Sequence, residues 1–516
     1  MFETDGVRIG ALRRDLEAAR FSVERLTQLW GEPAQAALAR EQRVPAVRAL
    51  SLRRDPAAGD EVPDPAGTLA LLFILGLPCP AAELAAALPE TGIDGALALG
   101  LVERDGENVT ALVDLRPYSF VDPYGVGSWW IVSDLGELAL GRALGEQHVL
   151  GVGGASLTLS GLMIGRRVGS VLDLGTGCGI QAMHASRHAQ RVVATDISSR
   201  ALGMARFNAL LNGIDTIEFR LGSLFEPVAG ERFDHIVSNP PFVITPRTKG
   251  VPEYEYRDGG MVGDALVARV IRESAQHLTP GGVAQLLGNW EYSAEGEGLE
   301  RVEAWLAGTG LDAWVVEREV HDAQRYAETW IRDGGTRART PEFDRLYDAW
   351  LDDFERRRVR AVGFGYVMLR RPTSGEPSLS RLEHLDGAIG SNESGLGEHL
   401  ERFLDVHDWQ HALDDAELEA STLLVAPDVT EERHYWPGAE DPTVLSLHQG
   451  GGFGRTVRID TGLAALVGAC DGELAVGAII AAIAQLLDVS HSELREELLP
   501  RVRELLVTGF LQPAEL

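Results

Sequence analysis

Cysteine is scarce in this chain. Its 516 residues include only Cys79, Cys178 and Cys470, far apart and without paired spacing, which excludes a disulfide framework and the paired ligands of a zinc site. Cys178 reads as a small residue filling a tight turn. Long apolar runs are missing too: none reaches the about 18 residues that a spanning helix needs. The opening MFETDGVRIG has no basic stretch followed by an apolar core. The expectation is a cytoplasmic protein with no metal and no membrane contact. Positive charge is the third shortage. Against 77 Asp and Glu stand 47 Lys and Arg, a net charge of −30, and Lys249 is the single lysine. Such a field repels nucleic-acid phosphates at long range, so contact with RNA or DNA requires a local basic patch or a basic partner. Hydrophobic content of 45% and charged content of 24% are ordinary for a globular protein. At about 100 to 200 residues per domain, the length predicts two to four domains.

What is present is organised around the stretch from Val171 to Phe242. VLDLG reads as a short apolar strand, Val171 to Leu174, running into the turn Gly175-Thr176-Gly177-Cys178-Gly179 and then a helix from about Ile180. Strand, glycine-rich loop and helix in that order make a nucleotide-loop unit, where glycine lets the backbone turn tightly and approach a ligand closely. A second strand, Arg191 to Thr195, ends in Asp196, whose carboxylate can accept both hydroxyls of a ribose. Asp173, just before the loop, suits a cationic amino-acid ligand better than a pyrophosphate, which it would repel.

The other end of the stretch points to the chemistry. Phe233 to Ser238 reads as a buried strand, and Asn239-Pro240-Pro241-Phe242 follows it at the carboxyl edge of the sheet, where open α/β sheets place their ligands. Two consecutive prolines fix the backbone and remove two N–H donors, so the carbonyls near them only accept. The Asn oxygen and a proline-flanked carbonyl make two acceptors for one planar NH₂ group, and an aromatic ring offers a face to stack on it.

On these residues the chain resembles the class I S-adenosylmethionine-dependent methyltransferases, and within them the branch with an Asn-Pro-Pro-aromatic motif, which methylates side-chain amides or base amino groups. The run NPPFVITP, Asn239 to Pro246, is most similar to the HemK-type glutamine methyltransferases of the eukaryotic and archaeal kind, where Tyr is usual at the fourth position. The small-domain ribosomal RNA guanine methyltransferases commonly carry Phe there, as at Phe242. The resemblance covers roughly residues 148 to 370. It implies a Rossmann-like α/β fold with a seven-stranded sheet, and S-adenosyl-L-methionine bound along the carboxyl edge by Asp173, Gly175, Thr176, Gly177, Gly179, Asp196, Ile197, Ser223 and Leu224. Asn239, Pro240, Pro241 and Phe242 are then the catalytic set. In resembling enzymes an Asp often holds the adenine amino group where Ser223 stands here, while Leu224 and Phe225 can flank the ring. The expected substrate is a glutamine-bearing protein. An RNA base amine is the alternative, and a non-catalytic scaffold a second one.

The chain divides into residues 1–120, 121–371 and 372–516. Residues 10 to 54 read as amphipathic helices. Helices over Leu69 to Leu75, Ala81 to Leu88 and Ile93 to Leu99, followed by a hairpin turning at Arg104 to Glu107, suggest a winged helix. Its third helix has no Arg or Lys for phosphate or base edges, which favours packing or partner binding. Asp122 to Trp130 reads as a loop whose aromatics serve an interdomain core rather than a substrate mouth. Beyond the motif, Thr245 to Asp264 is expected as a loop over the substrate pocket, with Arg247, Lys249 and Arg257 as a basic cluster that orients substrate. An insertion from about Val320 to Arg360 ends in four arginines, Arg356, Arg357, Arg358 and Arg360, read either as an anion contact or as a solvated helix end. RPTSGEPSLS after Arg371 reads as a linker. A hairpin and two helices, Ala475 to Leu487 and Ser492 to Leu506, suggest a second winged-helix-like module.

Overall fold

The computed structural model describes residues 5–53, 64–140, 144–252, 254 and 257–515. Residues 253, 255 and 256 of the expected substrate loop, and the end of the first predicted helical stretch at residue 54, lie outside them. The chain forms two compact units, Met1–Ser160 with Arg167–His384, and Gly161–Arg166 with Leu385–Leu516.

The first unit is built on a sheet of eight strands: β1 Val168–Leu174, β2 Ala189–Asp196, β3 Ile217–Leu221, β4 Phe233–Ser238, β5 Leu278–Ser293, β6 Asp312–Asp322, β7 Val359–Arg370 and β8 Ser380–His384. Their spatial order is β8-β6-β7-β5-β4-β1-β2-β3. β7 runs antiparallel to both neighbours, and every other pair is parallel. The chain steps outward from β1 to β3, then returns to the other side of β1 with β4. This makes the carboxyl ends of β1 and β4 the switch point at which such sheets receive ligands.

The central strands are buried on both faces, hence their near-continuous apolar runs. Helices α1 Ile180–Ala185 and α2 Ser199–Leu211 contribute Ile180, Met183, Met204 and Phe207 to one core. Helices α3 Ala265–His277 and α4 Gly298–Leu306 pack Val267, Ile271, Val302 and Trp305 with Leu172, Val193 and Ile236 in another. β8 begins at Ser380, the last residue of the linker expected after Arg371, and adds parallel to β6, so the sheet has eight strands and not seven.

The amino-terminal region does not stand apart at residue 120. Helices Gly6–Ala18, Val23–Trp30, Glu32–Leu38 and Val44–Arg53 lead into Pro65–Leu69, Ala81–Ala87, Gly92–Ala98 and the strand pair Val102–Asp105 and Asn108–Ala111. Their buried residues share one core with α1 and α2. Arg13 reaches the carbonyls of Leu210 and Leu211 at 2.9 and 2.7 Å. The predicted loop Asp122 to Trp130 is instead most of a hairpin, Asp114–Asp122 with Gly125–Ser133. Pro123 lies in its turn, while Gly125 and Gly127 pair with Asp122 and Phe120 in the ladder. Asn208 and Asn212 on α2 accept from the main-chain N–H of Val132 and Trp130, and the Trp129 ring lies 4.9 Å from that of His184. Trp129 and Trp130 are half-buried and pack against the core these elements share.

The insertion between β6 and β7 forms α5 Ala323–Asp333 and α6 Pro341–Arg357. Tyr326, Ile331, Phe343, Trp350 and Phe354 gather there around Val243 and Ile244. Its four arginines pair with carboxylates: Arg356 with Asp353, Arg357 with Glu291 and Asp353, Arg358 with Glu295 and Arg360 with Glu297. Arg357 is held inside at 17% exposure, while the side chains of Arg356, Arg358 and Arg360 stay 61%, 72% and 49% exposed.

The second unit packs helices Gly397–Ala412, Thr461–Gly468, Val476–Leu487 and His491–Val507 with two three-stranded sheets. The predicted hairpin is present as Val444–Gln449 against Thr456–Ile459, and both predicted helices form.

Candidate active site

β1 ends in a tight exchange with β2: the N–H groups of Gly175 and Thr176 both donate to the Thr195 carbonyl, at 3.0 and 2.9 Å. Gly175 (φ +77°) and Gly177 (φ +55°) occupy the left-handed region, and a Cβ on either would meet nothing within 4 Å. Both therefore border open space. Gly179 differs. At φ +90° its Cβ would lie 2.9 Å from that of Ala205 on α2, so its smallness serves helix packing and not the open face. Cys178 is buried, and burial pushes its thiol up to about 11, as expected of an inert filler.

Asp173 has no exposed surface. Its Oδ2 accepts from Thr176 Oγ1 at 2.6 Å and from the Ala182 N–H at 2.9 Å, while its Oδ1 is buried without a partner. Burial raises its carboxyl to about 7, against these two hydrogen bonds, which lower it. A buried acceptor left over at the mouth of an open glycine turn fits a ligand that brings a cationic donor.

Asp196 stands at the carboxyl end of β2. Oδ2 accepts from the Gly177 N–H at 2.9 Å and Oδ1 from the Ser198 N–H at 2.8 Å. Asp196 is half-buried at the rim of the turn. Next to it Ile197 is 68% exposed, and Leu221, paired with Asp196 across β2 and β3, is 60% exposed. Ser223 and Leu224 are half-buried, and Leu224 carries φ +47°, a strained setting of the kind found at ligand sites. Phe225 turns inward and stacks on His277 at 4.6 Å, so it does not flank a ring at this edge.

The Asn-Pro-Pro-Phe run leaves β4 beside this cradle. Ser238 Oγ donates to the Leu174 carbonyl at 2.8 Å, tying the ends of β4 and β1 together. Asn239 is half-buried, and its amide makes no hydrogen bond among the described residues. The Phe242 ring meets Trp330 and Phe364 edge-on, at 6.2 and 6.5 Å. Asn289 on β5 and Tyr326 on α5 hold the main chain just beyond the run. Sequence reasoning passed over both, although a lone amide in the apolar run LLGNW of β5 was a signal for the first. A cleft of about 560 Å³ opens near the carboxyl end of β5 between α3 and α4, lined by Asp264, Glu291, Arg301 and Trp305 among others. None of its lining residues belongs to the glycine turn or to the Asn-Pro-Pro-Phe run.

The expected basic cluster is not a cluster of free charges. Arg247 pairs with Asp258. Arg257 is 7% exposed, donates to the Trp330 carbonyl at 2.8 Å, pairs with Asp333 at 3.0 Å and lies 4.4 Å over the Tyr254 ring. Both arginines brace their own loop. Lys249 alone of the three is solvent-exposed. Among the described residues no group of three or more His, Cys, Asp or Glu is placed to hold a metal ion, and no helix is long and apolar enough to cross a membrane.

Residues 153–302, from the helix before β1 into α4, match the family model described as Methyltransferase small domain. The stretches flanking it, residues 18–112 and 401–513, match models described as Domain of unknown function (DUF7059) and Domain of unknown function (DUF7782). The chain is 38% identical over 122 residues to the ribosomal protein uL3 glutamine methyltransferase of Bradyrhizobium diazoefficiens, covering 22% of its own length and 38% of that protein. It is 40% identical over 134 residues to the release factor glutamine methyltransferase of Xylella fastidiosa, covering 24% and 48%. Against the release factor glutamine methyltransferase of Geobacter sulfurreducens the figures are 39% over 123 residues, 22% and 43%. The chain thus spans less than half the length of these relatives.

Proposed function

We propose that this protein is an S-adenosylmethionine-dependent N-methyltransferase acting on the side-chain amide of a protein glutamine. The observation that carries the reading is the Asn239 amide, without a hydrogen bond to the described residues, at the switch point beside the glycine turn. The names of the relatives support the amide over a base amine, and so does the net charge of −30, which disfavours RNA. The flanking modules are read as winged-helix-like. The helix Gly92–Ala98 carries no Arg or Lys, which suits packing or protein contact.

S-adenosylmethionine, when bound, supplies a methyl group already activated by the adjacent positive sulfur. The residues present fit it: Asp173 Oδ1 for the amino-acid ammonium, the open face at Gly175 and Gly177, Asp196 for the ribose, and Ile197, Leu221 and Leu224 for a planar base. Asn239 Oδ1 and the Pro240 carbonyl accept the two hydrogens of the substrate amide. That pair aims the nitrogen and, by drawing on both N–H bonds, raises electron density on it. Proximity and alignment supply most of the rate. No general base is needed before attack, because the proton leaves afterwards.

Asp173 makes the cofactor site pH-dependent. Its folded carboxyl, raised to about 7 from 3.8, holds a proton that the unfolded chain has lost over that interval. Stability of the free protein from this group is therefore present below about 4 and lost as pH rises through about 7. A cationic ligand favours the ionised form, so affinity for S-adenosylmethionine should rise about tenfold between pH 6 and pH 8. Titration calorimetry should show that rise flattened in Asp173→Asn. A flat profile in the parent protein counts against the ammonium assignment.

The reading as a whole is tested by labelled methyl transfer into a cell extract, divided and treated with protease or ribonuclease. Label lost to protease and spared by ribonuclease is expected. The reverse establishes the RNA base amine in its place.

A further inference from the structure

Two prolines in a row leave residues 240 and 241 without N–H donors, so the Asn-Pro-Pro run cannot be pinned through its own amides. The Pro240 carbonyl must also stay free if it is to accept from substrate. Whatever fixes the run has to act on its flanks. Upstream this is Ser238, bonded to Leu174. Downstream the Val243 N–H donates to the Arg257 carbonyl at 2.8 Å, and a pair of side chains from two other elements adds to that hold. Asn289, with no exposed surface, donates through Nδ2 to the Phe242 carbonyl at 2.7 Å and to the Tyr326 hydroxyl at 3.2 Å. That hydroxyl, also fully buried, accepts from the Ile244 N–H at 2.9 Å. The Tyr326 ring stacks on Phe364 at 5.5 Å and 18°, which fixes where its oxygen points. Burial raises the phenol above its usual range, so it stays a neutral hydrogen-bonding group.

We infer that Asn289 and Tyr326 are positioning residues for the Asn239 and Pro240 acceptor pair. The α5–α6 insertion is then the buttress that delivers one of them. The sheet does not need this insertion, since β6 and β7 pair with each other along their length. Its packing on Val243 and Ile244 follows if its task is to hold the segment beyond the motif. The inference rests on the methyl-transfer reading above. An acceptor pair displaced by about 1 Å loses on the order of a hundredfold in rate, so losing either side-chain anchor should show in turnover before it shows in binding.

The test uses the full-length protein with Tyr326→Phe, which removes only the hydroxyl, and Asn289→Ala. Trp350→Phe, in the same buried cluster, serves as a packing control. Three quantities are read: labelled methyl transfer into extract protein, affinity for S-adenosylmethionine by calorimetry, and hydrogen exchange of the peptide containing residues 242–246. Both anchor variants should lose about tenfold in turnover, keep cofactor affinity within about twofold, and exchange faster at Ile244. Combining them should cost less than the product of the single effects, because both act on one segment. Trp350→Phe should lower the melting temperature and leave turnover at a permissive temperature unchanged. Wild-type turnover in both anchor variants, or a control that loses as much as they do, overturns the positioning role. Exchange at Ile244 unchanged in both overturns the anchoring itself, whether or not methyl transfer occurs. An absence of transfer by the parent protein overturns the proposed function instead, and with it the catalytic purpose of the anchors.

Discussion

Asn239→Ala should lower turnover by about a hundredfold or more while leaving affinity for S-adenosylmethionine within a few fold. The cofactor cradle is made by the turn after β1 and the end of β2, and its anchors are Asp173, Thr195 and Asp196. Asn239 bonds to none of them, so its loss leaves the cradle standing. What disappears is one of two acceptors that aim the amide nitrogen, an interaction used as the transition state forms. Single-turnover kinetics with extract protein as acceptor separates the two terms. Retained turnover rejects the amide-clamp reading, and lost cofactor affinity means that Asn239 belongs to the cradle after all.

The second large effect is expected at Asp196. Alanine there should weaken S-adenosylmethionine by about 1 to 3 kcal/mol through lost charge-assisted hydrogen bonds. The structure adds a reason beyond the diol. The same carboxylate holds the N–H groups of Gly177 and Ser198, so its removal also loosens the glycine turn and the start of α2. Cofactor binding by Asp196→Ala should thus be weaker and show a more unfavourable entropy, as expected when a ligand has to order the loop it meets. Unchanged affinity by calorimetry removes the ribose assignment.

The stretch from β1 to the Asn-Pro-Pro-Phe run was legible because its signals are local. An apolar strand, a turn that demands positive φ at glycine, and an acidic strand end lie within 30 residues of one another, and each reports its own geometry. What stayed hidden depends on partners distant in sequence. Arg257 looked like a free cation until its partner, Asp333, came into place 76 residues away. Arg357 finds Glu291 across a separation of 66. The boundary expected at residue 120 falls inside one compact unit: the amino-terminal helices complete their core with Met204 and Phe207 of α2, which no pattern within residues 1–120 announces. β8 escaped notice because SRLEH is a polar edge strand. Its Arg381 and Glu383 pair with each other and leave no apolar alternation to read. Among the proposed site residues, Asp173 and Asp196 lie on β1 and β2, Gly175 and Gly177 in the turn after β1, and Asn239 directly after β4. Gly179 and Phe225 face the interior, and Arg247 and Arg257 brace the loop they were expected to arm.

The most direct measurement is the fragment-ion mass spectrum of the product formed when the purified protein and S-adenosylmethionine act on extract protein. The expected result is one added methyl on a glutamine side-chain nitrogen, absent when Asn239→Ala replaces the parent protein. Methyl found on an RNA base, or on a protein group other than an amide nitrogen, contradicts the account.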